Sequence, residues 1–513
     1  MLWLSVHLPH LALDAACEPV ADSVASKAAS PPRVVSERCG GAVRVRDADA
    51  AARSRGVVAG MELAAAFVLA PGLRVLEHAP ALEVAALERL ANWALQFTSR
   101  VALARRGLLL EIGGSLRLLG GLQTLLRRVR RGLAALRYHH VLGVAPTPRA
   151  AQWLARHQAM PACPPDDVLA EAAPWHGGTS CCQQLAELPA RLAPLPLAVM
   201  ELTEPQAEAL AAMGITCLEA LMALPAANLG RRFGPALVRE LEQARGRLPD
   251  PRPVFRPPMH FEARLALPAD ITQQEALRFP LRRLLLELEG FLRGRDRVVQ
   301  RLQLRLAGRR AEPVQTVTLA LLTPLQDADA LLALLQPRLE RLRLEAPIAG
   351  LMLRARELLP ATPRPATLLA APAAAQDSPL LALLERLRAR LGDDAVTGLT
   401  RQADHRPEHA WCWQEPAISP AAVTEATSAW PPPAPRPLWL LADPWPLDTD
   451  ATGGPRHAGA PLRLFGGERL EGGWWDGRDC RRDYYLAVTA AGERLWVYRE
   501  LRGGAWFCHG LFA

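Results

Sequence analysis

The sequence predicts an α+β protein of several domains. Three observations carry this. At 513 residues the chain exceeds what one hydrophobic core organises. Short apolar runs of strand type alternate with amphipathic stretches of helical period. Proline-rich stretches at 249–258, 361–375 and 431–437 divide the chain. Half of the residues are hydrophobic and 22% are charged, so most of the length is expected to fold.

Residues 2–8 read as a first strand, with Trp3, Ser5 and His7 on one side and Leu2, Leu4, Val6 and Leu8 on the other. Pro9, His10 and Asp14 follow as the chain turns towards a helix. Residues 43–46 read as strand, 49–61 as a helix and turn, and 83–95 as an amphipathic helix. The stretch 107–121, GLLLEIGGSLRLLGG, places Glu111 between two apolar runs and beside a glycine pair. It reads as a buried strand turning into the next strand. A helix over 122–136 carries Arg127, Arg128, Arg130 and Arg131; a strand over 141–145 and a loop-plus-helix, PTPRAAQWLAR, come next.

Residues 195–248 are mostly helical, with a Thr203–Gln206 capping box opening a helix that Gly214 ends. Arg231 and Arg232 precede Phe233-Gly234-Pro235. Beyond the linker, 259–356 reads as a β-α-β-β-α-β unit. Its strand 301–306 alternates, which places Arg301, Gln303 and Arg305 on one exposed face suited to a DNA backbone; a merely solvated sheet face has the same pattern. An arginine-rich helix follows over 380–391. The tail gathers Trp439, Trp445, Trp474, Trp475, Trp496 and Trp506, and its segments 484–489 and 494–500 form a hairpin around Ala491-Gly492. These tryptophans fit either the core of a small β-module or a partner-binding surface, with Trp474, Trp475, Trp506 and Phe507 as candidates.

The net charge of +8 rests on arginine, with Lys27 the single lysine, and favours polyanionic partners such as DNA. None of the nine cysteines forms a CxxC pair, so neither a zinc site nor a disulfide framework is expected. A basic n-region and a bilayer-length apolar stretch are both lacking, which implies a cytoplasmic location without membrane partners.

Four segments resemble, in order, motifs of Y-family translesion DNA polymerases. LSVHLPHLALD (4–14) stands where VDMDAFFASVE belongs, and AARSRGVVAGM (51–61) resembles AR-x-x-GV-x-x-GM. Glu111 falls in the place of SIDEAFLD, and LGVAPTPRAAQWLA (142–155) resembles GIAPNKLLAKLA. MGITCLEAL (213–221) is similar to part of their thumb helix-hairpin-helix. The tail text GGWWDGRDCRRDYYLAV and WFCHGLF, with ADHRPE (403–408), resembles the ImuB family, bacterial relatives of these polymerases that have lost the catalytic carboxylates. The resemblance implies palm and fingers over 1–165 and a thumb with a degenerate helix-hairpin-helix over 166–250. It further implies a little-finger domain over 251–360, a linker with one helix over 361–435, and a partner-binding module over 436–513.

The departures decide the expected activity. Two-metal phosphoryl transfer needs several acidic ligands, because magnesium prefers oxygen. By the resemblance, Ser5 and His7 replace the first-strand aspartates, Glu111 holds the first acidic position of the later motif, and Ile112 stands at the second. No catalytic residue, metal or cofactor is therefore expected. The aromatic gate falls at Pro9 and His10 and the nucleotide tyrosine at Ala50, while the lysine falls at Arg149 or is absent. Arg53 is retained for phosphate or is simply solvated. Carboxylates at Glu201 and Glu204 would repel phosphate at the degenerate hairpin, with Arg231 and Arg232 in partial compensation. The nearest text to a clamp-binding peptide, PATLL (365–369) with Leu368 and Leu369, lacks the glutamine and the aromatic end.

ImuB-like proteins are adaptors in the DNA-damage (SOS) response. The resemblance therefore implies damaged primer-template DNA, the sliding clamp, a RecA-like ImuA accessory protein and an error-prone replicative-type polymerase as partners, at the nucleoid. An active translesion polymerase with atypical ligands would instead need Glu111, His7 and Asp14 to converge. A DNA-binding module without partners is the third reading.

Overall fold

The computed structural model describes residues 1–16, 31–160, 176–309, 313–361, 379–416 and 436–512. It divides into two compact units, Met1–Ala375 and Gln376–Ala513.

The first unit is organised by a five-stranded sheet in the order β5-β6-β1-β7-β8. Here β1 is Trp3–His7, β5 Val101–Ala104, β6 Gly107–Glu111, β7 His140–Ala145 and β8 His176–Cys181. β1 runs antiparallel to both neighbours, and β7 and β8 are parallel. Strand alternation sends Leu4 and Val6, with their β6 partners Leu110 and Leu108, into a core against helices α4 (Pro80–Ala94) and α5 (Leu122–Ala135). The opposite side of β1 lies under α6 (Pro148–Gln158), which Thr147 caps through the Ala150 N–H. α6 approaches so closely that a Cβ on Gly143 would stand 2.2 Å from the Ala151 carbonyl. Helix α1 (Leu11–Ala16) leads towards a smaller sheet, ordered β3-β2-β4. It comprises β2 (Arg33–Cys39), β3 (Ala42–Ala48) and β4 (Arg74–Glu77), backed by α2 (Ala50–Arg53) and α3 (Leu63–Leu69).

Two local expectations change. The strand pair expected over 107–121 does not form; the hairpin is β5–β6, turned at Arg105-Arg106. After Glu111 the chain curls, because Glu111 Oε1 accepts the Gly113 N–H at 3.1 Å and Ile112 buries its side chain in the core. Leu116 and Leu119 then fold back on that core, and Gly120 and Gly121 at φ +80 and +92 redirect the chain into α5. The helix expected over 49–61 contracts to α2, and β2 and β4 were not foreseen.

The helical stretch comprises α7 (Leu188–Leu192), α8 (Glu204–Ala212), α9 (Leu218–Met222), α10 (Ala226–Phe233) and α11 (Pro235–Ala244), and the Thr203–Gln206 capping box is formed. A second sheet, ordered β11-β10-β12-β9, contains β9 (Phe261–Ile271), β10 (Arg297–Ala307), β11 (Pro313–Leu325) and β12 (Ile348–Ala355). Short β13 (Leu358–Pro360) pairs with β10, and α12 (Arg278–Gly294) and α13 (Ala328–Glu340) complete this region. α12 joins the two parts of the unit by packing on α4, where a Cβ on Gly290 would fall 2.8 Å from Trp93 Cα. Beside this contact Glu287 is buried between Arg283 (3.7 Å) and Arg89 (3.5 Å).

The second unit holds α14 (Pro379–Leu391), the ribbon β14 (Gly398–Arg401) with β15 (Trp411–Gln414), and a seven-stranded sheet. That sheet is ordered β18-β17-β16-β22-β21-β20-β19. Its strands are β16 (Trp439–Thr449), β17 (Pro455–His457), β18 (Ala460–Pro461), β19 (Arg463–Gly472), β20 (Cys480–Val488), β21 (Arg494–Glu500) and β22 (Trp506–Leu511). The expected hairpin around Gly492 is β20–β21. Among the described residues, no helix is long and apolar enough to cross a membrane.

Tyr484 on β20 is buried and stacked on Trp496 at 4.1 Å. Its hydroxyl lies 2.8 Å from His509 Nδ1 and accepts from Arg482, which also donates to Glu408 at 2.9 Å. Burial pushes the His509 pKa down to about 4, so the ring is neutral and accepts the tyrosine proton. The unfolded chain takes up a proton near pH 6.5 that the folded one refuses, so this contribution is complete above that pH and is lost as pH falls towards 4. Thermal unfolding at pH 7.5 and 4.5 should therefore show a fall in midpoint that is smaller in His509→Phe.

Candidate functional site

Across the ladder, Glu111 faces Trp3, Leu109 faces Ser5 and Gly107 faces His7. Directly opposed residues share a face, so Glu111, Ser5 and His7 belong to one surface, while Ile112 is buried in the core on the other side. Glu111 and His7 stand four ladder positions apart, about 13 Å at ~3.4 Å per residue. Side chains standing perpendicular to the sheet do not meet across that gap. Ser5 is buried beneath α6. Asp14 lies at the far end of the sheet, where its carboxylate accepts the His139 N–H and contacts His139 Nδ1, each at 2.8 Å. The convergence of Glu111, His7 and Asp14 that an atypical metal site would need is not present. Among the described residues, no group of three or more His, Cys, Asp or Glu is arranged to hold a metal.

The electrostatics of this face are cationic. Burial, reinforced by Arg156 and Arg106, pushes the His7 pKa down to about 3, so its ring is neutral. Arg156 pairs with Glu201 at 2.7 Å and Arg149 with Glu240 at 3.3 Å. Arg105 and Arg106 project from the β5–β6 turn and are exposed. Sequence reading passed over this turn because the expected strand pair was placed at 107–121.

The retained Arg53 is held by the protein itself. Its guanidinium donates to the Ala48 carbonyl at 2.6 Å and lies 2.9 Å from His10 Nε2, while His10 Nδ1 is 2.8 Å from Asp47. This Asp47–His10–Arg53 chain fills the place expected for the nucleotide gate. It was invisible in sequence because its members lie 37 and 43 residues from His10.

Arg231 and Arg232 are exposed at the end of α10, and Arg232 lies over the Phe233 ring at 5.7 Å. Arg301 is 3.7 Å from Glu357, and Arg305 donates to Gln303 at 3.3 Å. Register adds Arg354, opposite Gln303, and Arg264, opposite Met352, to the same face, with Glu262 bonded to both arginines. Those two were missed because the pairing of β9 with β12 is not written in either strand alone. Of the tail candidates, Trp474 and Trp475 are 77% and 58% exposed and meet edge to face at 5.5 Å. Arg406, held by Asp404 and Asp476 at 2.7 Å each, sits over Trp475 at 5.7 Å. Trp506 is instead buried, its indole N–H donating to Gly453, and Phe507 is half-buried and stacked on Tyr498. Both are sheet framework. Leu368 and Leu369 lie outside the described residues.

The first unit carries 45 of the 60 basic and 34 of the 52 acidic residues, a net +11, and the second unit is net −3. The basic balance therefore belongs to the first unit.

Motif order, element order and the three-sheet first unit, with the β-rich second unit, define a Y-family polymerase-like fold. No family model matches the chain. Protein ImuB of Caulobacter vibrioides strain NA1000 / CB15N is 32% identical over 490 residues, covering 89% of this chain and all of that protein. Protein ImuB of strain ATCC 19089 / CIP 103742 / CB 15 matches to the same extent. The chain belongs to the ImuB family. Among solved structures, DinB from Sulfolobus solfataricus is similar at 16% identity over 69% of this chain and 98% of its own, with a TM-score of 0.37. An insertion ternary complex of Dbh DNA polymerase is similar at 15% identity over 70% of this chain and 100% of its own, with a TM-score of 0.38.

If the β5–β6 turn faces DNA, Arg105→Glu/Arg106→Glu should weaken primer-template binding about tenfold at 0.1 M salt and flatten its salt dependence by about two phosphate contacts. Filter binding across a salt series measures both.

Proposed function

We propose that the chain is a non-catalytic adaptor of error-prone translesion DNA synthesis. The observation that carries this reading is the front face of β1. By the resemblance, Ser5 and His7 stand where metal-binding aspartates are expected; in this face His7 is neutral, Glu111 is distant from His7, and arginines lie nearby. Two magnesium ions need bridging carboxylates and are repelled by guanidinium groups. Contact with DNA then rests on phosphate and salt, through Arg105, Arg106, Arg301, Arg305 and the exposed arginines near them. Membership of the ImuB family and the resemblance of the tail support the partners: the sliding clamp, the RecA-like ImuA protein and an error-prone replicative-type polymerase. The exposed Trp474–Trp475 pair, on a unit of net negative charge, is the proposed protein-binding point. The division into palm and fingers, thumb, little finger, linker and C-terminal module belongs to the same proposal.

Primer extension tests the catalytic half. Purified chain with primer-template, nucleotides and Mg²⁺ or Mn²⁺ should extend nothing; extension abolished by Glu111→Ala would overturn the reading. The recruiting half is tested by capture of the three partners: Trp474→Ala/Trp475→Ala should lose at least one partner while DNA affinity stays within about twofold, since rim-free tryptophans dominate interfaces.

A further inference from the structure

A groove of 560 Å³ lies where α4, α5 and α12 meet. Its floor is apolar, formed by Trp93, Phe97, Leu119 and Leu286, and its wall carries Arg128 and Arg131. Among the described residues these two arginines have no ion-pair or hydrogen-bond partner. Arg293, also on the wall, is neutralised by Glu289. The groove is therefore a strip of hydrocarbon beside two uncompensated positive charges. We propose that it docks an acidic peptide segment of a partner protein, with an apolar side chain on the floor and carboxylates on Arg128 and Arg131.

Three features favour a peptide over nucleic acid. Trp93 and Phe97 belong to the core that packs on Leu4 and Val6, so the groove is on the other side of the first sheet from Ser5, His7 and Glu111. Trp93 is only 4% exposed, with Gly132 and Gly290 so close to its ring that a Cβ on either would clash at 2.1 and 2.5 Å. No ring face is left for a base to stack on, which is how single strands usually gain affinity. The half-buried Leu119 and Leu286 instead reward an aliphatic or aromatic anchor by about 25 cal/mol per Å² buried, while the paired guanidinium groups hold its carboxylates. The proposal stands whether or not the chain copies DNA.

The test uses the full chain and three fluorescein-labelled probes in fluorescence anisotropy. One is a peptide alternating Asp or Glu with Leu or Phe, the second is the same peptide with Lys for the acids, and the third is a short oligo-dT. The acidic probe should bind at least about tenfold tighter than the lysine probe, and Arg128→Glu/Arg131→Glu should remove that difference. Arg127→Glu, exposed on the same helix but not part of the groove wall, should leave binding within about twofold. Unchanged thermal unfolding of each variant shows that the fold is intact. Equal binding by the wild type and Arg128→Glu/Arg131→Glu overturns the proposal, as does failure of the wild type to bind the acidic probe. So does loss of oligo-dT binding alone, which would make the groove a nucleic-acid site, or loss of self-association alone, which would make it an interface between copies.

Discussion

Strand β1 is hydrogen-bonded along both edges, and the character of the front face follows from that clamp. Its register leaves little freedom: a Cβ on Gly107 would sit 1.9 Å from the Val6 carbonyl, and one on Gly143 would strike α6. β6 and β7 thus grip β1 while α6 closes over its middle. An aspartate at position 5 would have to remain ionised beneath that helix, which costs several kcal/mol unless a cation compensates it. Serine and a neutral histidine tolerate the same burial. The burial of Ser5 and the neutrality of His7 therefore both follow from this closure of the face.

Guanidinium groups at Arg105, Arg106, Arg149 and Arg156 crowd the closed face, some neutralised locally by Glu201 and Glu240. The second unit, net negative and displaying two exposed tryptophans, has the opposite balance. One chain thus carries a basic polymerase-like body and an acidic, aromatic tail.

Much of this was legible in the sequence. Alternation in residues 2–8 fixed which side of β1 faces the core, and the Thr203–Gln206 box and the Gly492 hairpin carried their own local chemistry. The run after Glu111 was misread because apolar spacing alone does not separate a strand from a turn whose leucines fold back on the core. What needs pairing between distant strands stayed hidden: the Asp47–His10–Arg53 chain, and Arg264 and Arg354 beside Arg301 and Arg305. Burial divided the tail tryptophans, since Trp496 and Trp506 look no different in sequence from Trp474 and Trp475.

The central claim is that the face of β1 does not assemble a two-metal site. Electron paramagnetic resonance of Mn²⁺ titrated into the full chain, with primer-template and a nucleoside triphosphate present, tests it most directly. No Mn²⁺ uptake beyond that of the DNA and nucleotide alone is expected. Uptake by the protein that disappears in Glu111→Ala would contradict it.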